Sequence, residues 1–236
     1  ATISQNIKKL AKEFLHDPAI VEVSHRRDVV DFIAHRAYKV DKARKAELVA
    51  KLMTELHLEQ VLLFASTKES ANKIYAYLRS QNIRTSIIHG DLTRGARAKS
   101  LALLKSGKTQ VLVATDIAAR GIDIKELSMV INYDMPEGTD DFTHRVGRTG
   151  RANHKGSVIS ILTTRDYDLF SKMERNLRLN IKREVYPGFE LTDKQPRQKQ
   201  PKKKSLIERK GGFDYHKQRV QKRSAQAKKK STGPKK

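Results

Sequence analysis

Between residues 61 and 162, short apolar runs alternate with longer stretches whose apolar positions recur at helical spacing. Val61–Ala65 (VLLFA), residues 83–88, residues 111–114, Met129–Asn132 and residues 156–162 are the short runs, and each predicts a β-strand. Residues 66–81 carry Ala71, Ile74, Tyr75 and Leu78 along one helical stripe. Residues 93–106 do the same with Ala98, Leu101, Ala102 and Leu104, and Gly107 closes that helix. Residues 140–146 and 165–177 read as two more helices. Strands that are apolar throughout, rather than alternating, are buried on both faces. Joined by helices, they predict an α/β fold with a parallel sheet flanked by helices. Ligands of such a sheet sit in loops beyond the carboxyl ends of its strands.

The ends of the chain follow other patterns. Residues 4–15 form an amphipathic helix (Ile7, Leu10, Ala11, Phe14), residues 20–23 a short strand and residues 24–33 a linker. Residues 35–40 and 42–56 open the main domain. After Pro187 and Gly188 the periodicity collapses. Pro196, Pro201, Lys202 to Lys204, Gly211, Gly212 and Lys228 to Lys230 mark a basic tail of low complexity. It has too few apolar residues to offset the entropy of ordering, so residues 192–236 are expected to be disordered.

Charge narrows the class of partner. The formal net charge is +23, and residues 192–236 alone hold 17 Lys and Arg against 3 Asp and Glu. Nucleic acid is the first candidate for a polyanionic partner, because neutralising phosphates releases counterions; an anionic membrane surface is the second. No apolar run approaches the length of a membrane span, and the N-terminus lacks a secretory pattern. The absence of cysteine excludes disulfides and cysteine-ligated zinc, and fits a cytoplasmic protein.

Three stretches carry candidate chemistry. In His144-Arg145-Val146-Gly147-Arg148-Thr149-Gly150-Arg151, three arginines and two glycines make a compact cationic fork suited to phosphate. Thr115-Asp116-Ile117-Ala118-Ala119-Arg120-Gly121-Ile122-Asp123 starts where a strand ends and so occupies a ligand-facing loop. Read singly, Thr115 and Asp116 serve equally as helix caps, and Asp123 as a surface carboxylate. In His89-Gly90-Asp91-Leu92-Thr93-Arg94-Gly95-Ala96-Arg97, Gly90 and Gly95 have the spacing of a phosphate-binding loop. That loop requires Lys and Ser or Thr next; Ala96 and Arg97 follow instead, which rejects a Walker A site. The stretch remains either a helix N-terminus that holds a backbone phosphate or a capped surface helix with a basic face.

Together these stretches resemble the second RecA-like domain of DEAD-box ATP-dependent RNA helicases of superfamily 2, over residues 35–186. Residues 61–68 (VLLFASTK) look like motif IV, residues 89–97 like motif IVa, residues 115–123 like motif V and residues 144–151 like motif VI. His144 stands where DEAH and other superfamily 2 helicases usually show Gln, which favours the DEAD-box branch. Ala1-Thr2 looks like the end of motif III. On that reading residues 1–23 are a remnant of the first RecA-like domain, 24–34 the interdomain linker, 35–191 the C-terminal RecA-like domain and 192–236 the tail. The family usually has Gln where this chain has Arg94.

The resemblance implies roles at the matched positions. Arg148 and Arg151 reach the ATP phosphates, at least one of them as an arginine finger. Asp123 hydrogen-bonds the ATP ribose. Thr67, Gly90, Arg97 and Thr115 contact the RNA sugar-phosphate backbone, and His144 couples the two sites through the first domain. ATP with Mg2+ is then held mainly by the absent first domain. Walker A, Asp-Glu-Ala-Asp and Q-motif sequences are missing from the chain, so it is expected neither to hydrolyse ATP alone nor to bind it tightly. Basic helicases of this kind resemble bacterial members acting in ribosome assembly or RNA decay, which makes ribosomal or RNA-decay proteins the expected partners. In the tail, Phe213 and Tyr215 are candidates for stacking on bases. Two other readings stand beside this one: a nonenzymatic RNA-binding or annealing module, and a DNA-directed enzyme of the same superfamily.

Overall fold

The computed structural model describes residues 5–15, 33–119, 127–150 and 156–192. The strand expected at 20–23, the linker up to residue 32 and the tail from 193 onward lie outside the described residues. Helix α1 (Gln5–Phe14) forms where its periodicity places it, with Ile7, Leu10 and Phe14 exposed. Among the described residues no helix is long and apolar enough to cross a membrane.

The main domain is built on seven strands: β1 (Ala34–Lys39), β2 (Val61–Ala65), β3 (Thr85–Ile88), β4 (Val111–Thr115), β5 (Met129–Asn132), β6 (Ser157–Leu162) and β7 (Arg183–Val185). They are all parallel, in the order β3-β4-β2-β5-β6-β1-β7. Helices α2 (Lys45–Glu55), α3 (Lys68–Ser80), α4 (Arg94–Lys105), α5 (Asp116–Ala119), α6 (Thr139–Val146) and α7 (Tyr167–Leu177) cover it. Successive strand side chains point to opposite faces, and the core divides accordingly. Val61, Leu63, Val113, Ile131 and Ile159 pack with Leu48 and Leu52 of α2 and Ala71, Ile74 and Leu78 of α3. Leu62, Phe64, Leu112, Val130 and Val158 pack with Leu104 of α4, Ala118 of α5, Phe142 and Val146 of α6, and Phe170 of α7. This explains why β2 and β4 are apolar without a break: every residue in them is buried.

The chain leaves β2 toward α3 on one face, but leaves β4 and β5 toward α5 and α6 on the other. Crevices open beside the carboxyl end of β2, where connections diverge, and this is the place such sheets hold ligands. The packing there is tight around motif VI. Gly150 has φ +69°, and a Cβ on Gly156 would lie 2.4 Å from the Gly150 nitrogen, so neither position admits a side chain without movement.

Three features depart from the sequence expectations. Two strands beyond the expected five, β1 and β7, extend the sheet; Ile33, buried, and Ala34 enter the folded unit at its start. Helix α4 buries a narrower face than expected. Leu104 is buried and Leu101 half-buried, but Ala98 and Ala102 are exposed, because α4 covers the four-residue edge strand β3. Motif V opens on the last residue of β4 and continues as the helical turn α5 rather than as a loop.

Candidate nucleic-acid and nucleotide interface

Four of the sequence-predicted RNA contacts gather at the carboxyl ends of the three neighbouring strands β3, β4 and β2. Thr67 is exposed and caps α3, its Oγ1 accepting from the Ser70 N–H at 3.1 Å. Gly90 is exposed after β3, and a Cβ there would meet nothing within 4 Å, so the fold itself does not require glycine. Thr93 caps α4 by accepting from the Ala96 N–H at 3.2 Å. Lys68 and Asp91 join the two loops through an exposed ion pair of 2.9 Å; this contact holds Lys68 above and Asp91 below their ordinary values. Arg97 is half-buried and donates to the Ala118 carbonyl at 3.0 Å. Thr115 closes β4 and is 9% exposed.

Motif VI does not behave as one fork. Arg145 is 1% exposed and belongs to the core. Its Nε and Nη2 donate to the two oxygens of Asp116, both at 2.7 Å. Its Nη1 donates to Asn132 Oδ1 at 3.2 Å and to the Asp134 carbonyl at 2.6 Å, while the guanidinium lies 5.0 Å from the Phe64 ring centre. The expected cationic cluster of three arginines is thereby corrected: burial forces Arg145 to find partners, and it takes the motif V carboxylate read from sequence as a helix cap. His144 and Arg148, both half-buried, line a crevice with Phe64, Asp116, Ala119, Asp141 and the edge of Arg145. Asp123 and Arg151 lie outside the described residues.

The geometry adds residues that the sequence left unmarked. Lys45 and Asp134 pair at 2.6 Å across the far side of β2, and Asp134 also accepts from Ser66 N–H at 3.1 Å and Ser70 Oγ at 2.6 Å. Lys45 sits 4.3 Å from the Tyr133 ring centre, and burial pushes the Tyr133 phenol up to about 12. Burial by itself would raise Asp134; the nearby Lys45 charge and the donated hydrogen bonds outweigh it and hold the carboxyl below its ordinary 3.8. A carboxyl depressed by folding contributes stability that is present above its unfolded value and lost as pH falls through its folded one. The melting-temperature gap between wild type and Asp134→Asn is therefore expected to be full at pH 7 and to shrink below pH 3.8. A gap that stays constant from pH 7 to pH 2.5 would exclude Asp134 as an ionised anchor. Among the described residues no three His, Asp or Glu side chains gather as a metal site.

Comparison with known proteins places this arrangement in context. Residues 44–153 match the family model described as the helicase conserved C-terminal domain. The DEAD-box ATP-dependent RNA helicase RhpA of Helicobacter pylori is 33% identical over 181 residues, which cover 77% of this chain and 37% of that protein. The ATP-dependent RNA helicase RhlB of Pseudomonas syringae is 36% identical over 187 residues, covering 79% and 47%. The chain thus spans less than half the length of these relatives. Among solved structures, the E. coli DEAD-box protein SrmB bound to RraA aligns with TM-score 0.66 and 33% identity, over 70% of this chain and 97% of that one. S. cerevisiae Dbp5 bound to RNA and ADP BeF3 aligns with TM-score 0.69 and 29% identity, over 78% and 49%.

Proposed function

This chain belongs to the DEAD-box family and carries its C-terminal RecA-like domain; from that premise we propose that it is the half of an ATP-dependent RNA helicase that grips the RNA backbone and completes an ATP site. One observation supports this reading above the others. The single helical turn α5 is held from both sides: Asp116 by Arg145 of the helix that carries His144 and leads into Arg148, Ala118 by Arg97 of the helix that faces RNA. A shift of α6 toward a nucleotide is then felt two residues away by the RNA-facing helix.

In this reading Thr67, Gly90, Arg97 and Thr115 hold RNA sugars and phosphates, contacts that fix register without reading sequence. Arg148, with Arg151, meets the ATP phosphates, and Asp123 meets the ribose. Arg148 supplies positive charge where negative charge develops during phosphoryl transfer. His144 contacts the first RecA-like domain of the same protein. That domain holds Mg2+ and most of the ATP, which supplies the cleavable phosphoanhydride bond. Both ligands prefer the closed pair of domains, so each raises affinity for the other; closure bends and separates a short RNA duplex, and phosphate loss reopens it. The setting is the cytoplasm, with ribosomal or RNA-decay proteins as partners. The test is RNA-stimulated ATP turnover by this chain joined to a DEAD-box first domain.

The basic tail adds RNA affinity. Thr192 donates through its N–H at 2.8 Å and its hydroxyl at 2.6 Å to Asp41, just beyond the carboxyl end of β1. The tail therefore starts from the same edge of the sheet as the proposed RNA contacts. Removing residues 193–236 keeps that anchor and deletes 17 Lys and Arg. RNA binding is expected to weaken, and the slope of log K against log salt to fall by about 2, the loss of about three phosphate contacts on a single strand. An unchanged slope would place the tail outside the interface.

A further inference from the structure

We propose that the groove between the C-terminal turn of α7 and strand β7 is a second phosphate site, taking the backbone of an RNA that extends past the carboxyl edge. The proposal rests on the RNA reading above. The groove, of about 440 Å3, is lined by Ser171, Glu174, Arg175, Arg178, Asn180 and Arg183, among others. Its one carboxylate is fully engaged. Glu174 Oε1 accepts from the Ile181 N–H at 2.9 Å, and Oε2 accepts from Arg183 Nη2 at 2.5 Å. The same Nη2 donates to Ser171 Oγ at 2.8 Å, and the guanidinium lies 5.3 Å from the Phe170 ring centre, so Arg183 is fixed at the wall. Arg175 and Arg178 remain. Both are exposed, they stand one helical turn apart, and among the described residues neither has an acidic partner. Three arginines thus line a groove whose one glutamate is engaged, and an anion held there would offset their mutual repulsion.

Arg178 carries a second signal. It ends α7 in the left-handed conformation, φ 57° and ψ 33°, with its N–H on the Arg175 carbonyl at 3.3 Å and the next N–H on the Glu174 carbonyl at 2.9 Å. This position favours glycine, because an L side chain there crowds its own backbone. A long cationic side chain held where glycine is easier points to use of that side chain.

Charge selects the occupant. The tail of this chain, with 17 basic residues against 3 acidic ones, is excluded. Guanidinium groups match phosphate oxygens in pairs, and a chain of net charge +23 concentrates RNA around itself. Strand β7 lies four places from β2 and six from β3 in the sheet order. At about 4.8 Å per strand this is roughly 20–30 Å across the sheet. Because α7 runs back from the carboxyl end of β6, its C-terminal turn lies roughly 17 Å further toward the amino ends, at about 1.5 Å per residue, so only an RNA longer than the proposed core contact reaches both sites.

The experiment uses the full chain and fluorescence anisotropy with single-stranded RNAs of about 6 and about 20 nucleotides, a difference that spans this distance at about 3.4 Å per nucleotide. Arg175→Ala with Arg178→Gly is expected to weaken the long RNA several-fold and lower its salt slope by about 1.4, two contacts at about 0.7 each. The short RNA is expected to bind as before, while Arg97→Ala weakens both. Arg178→Gly by itself is expected to raise the melting temperature by about 1–4 °C, since it relieves the backbone. If the groove variant leaves the long RNA unchanged while Arg97→Ala weakens it, the groove proposal falls and the RNA reading stands. If neither variant changes binding, both fall. A lowered melting temperature in Arg178→Gly would show the side chain serving the helix end, and overturns the proposal. Sodium tripolyphosphate shifting the amide resonances of Arg178 and Asn180, without any effect of the variants on RNA, would assign the groove to free polyphosphate and overturn the RNA source.

Discussion

Arg148→Ala, made in a protein that joins this chain to a DEAD-box first domain, is expected to lower RNA-stimulated kcat for ATP by about 10^3 to 10^5-fold, the range for removing an arginine finger. The expectation comes from where Arg148 stands. It follows α6 directly, in the turn capped by Gly147, and lines the crevice beside Phe64 and Asp116. Arg145, three residues earlier, fixes that helix to the core through five protein contacts: two to Asp116, one each to Asn132 and Asp134, and one with the Phe64 ring. Arg148 therefore follows a helix anchored in the core, the kind of fixed support that transition-state stabilisation needs. Arg148→Lys is expected to restore little, because an ammonium cannot donate to two phosphate oxygens from a planar fork. RNA affinity without nucleotide is expected to stay near wild type. Turnover within tenfold of wild type in Arg148→Ala would remove the arginine-finger assignment. If the joined wild-type protein binds RNA yet gains no turnover, a nonenzymatic RNA-binding module becomes the better account.

What the sequence made legible follows from burial. Strands β2, β4, β5 and β6 lie inside the sheet and are covered on both faces, so their apolar runs are short, dense and unmistakable. Strands β1 (AHRAYK) and β7 (REV) sit at or next to an edge and keep polar residues, which erases the signal. Helices α3 and α4 are readable to within a residue or two, because the caps Thr67 and Thr93 lie next to or at the start of each periodic run. The apolar stripe of α4 was overread, since alanine is equally at home on an exposed helix face and Ala98 and Ala102 use that freedom.

The positions of the candidate site were legible in part, and its wiring was hidden. Periodicity placed Thr67, Gly90 and Thr115 at strand ends, and strand ends of a parallel sheet converge on one edge. No local pattern announces that Arg145 and Arg148, three residues apart in a single motif, divide between core and crevice. That division depends on Asp116, Asn132 and Asp134, which come from the ends of two other strands. Lys45 is a similar case: a lysine in the first turn of a helix reads as surface, yet Asp134, 89 residues away, holds it buried.

Removing Arg145 is accordingly expected to act on the whole domain. Arg145→Ala leaves the Asp116 carboxylate, the Asn132 amide oxygen and the Asp134 carbonyl without their donor, and opens a void against Phe64. Breaking a buried pair from one side costs about 3–5 kcal/mol, and the 30% exposure of the Asp116 side chain puts this one at the lower end of that range. For a domain of this size about 3 kcal/mol corresponds to a melting temperature lower by about 6–12 °C. Arg145→Lys is expected to recover only part of the loss, because one ammonium cannot span the two Asp116 oxygens and the two carbonyl-type acceptors at once. Arg145→Met fills the void but strands the acceptors; Asn132 is fully buried, out of reach of bulk solvent that would replace the lost bond. The order of stability is therefore expected to be wild type, Lys, Met, Ala, read by calorimetry or circular dichroism of the full chain. Asp116→Asn separates charge from shape: it keeps one acceptor for Arg145 and removes the carboxylate, so its loss should fall between wild type and Arg145→Ala. A melting temperature for Arg145→Ala within 2 °C of wild type, outside the range that magnitude allows, would mean that Arg145 does not hold α5 and α6 together, and the proposed route from the nucleotide crevice to Arg97 would lose its first link.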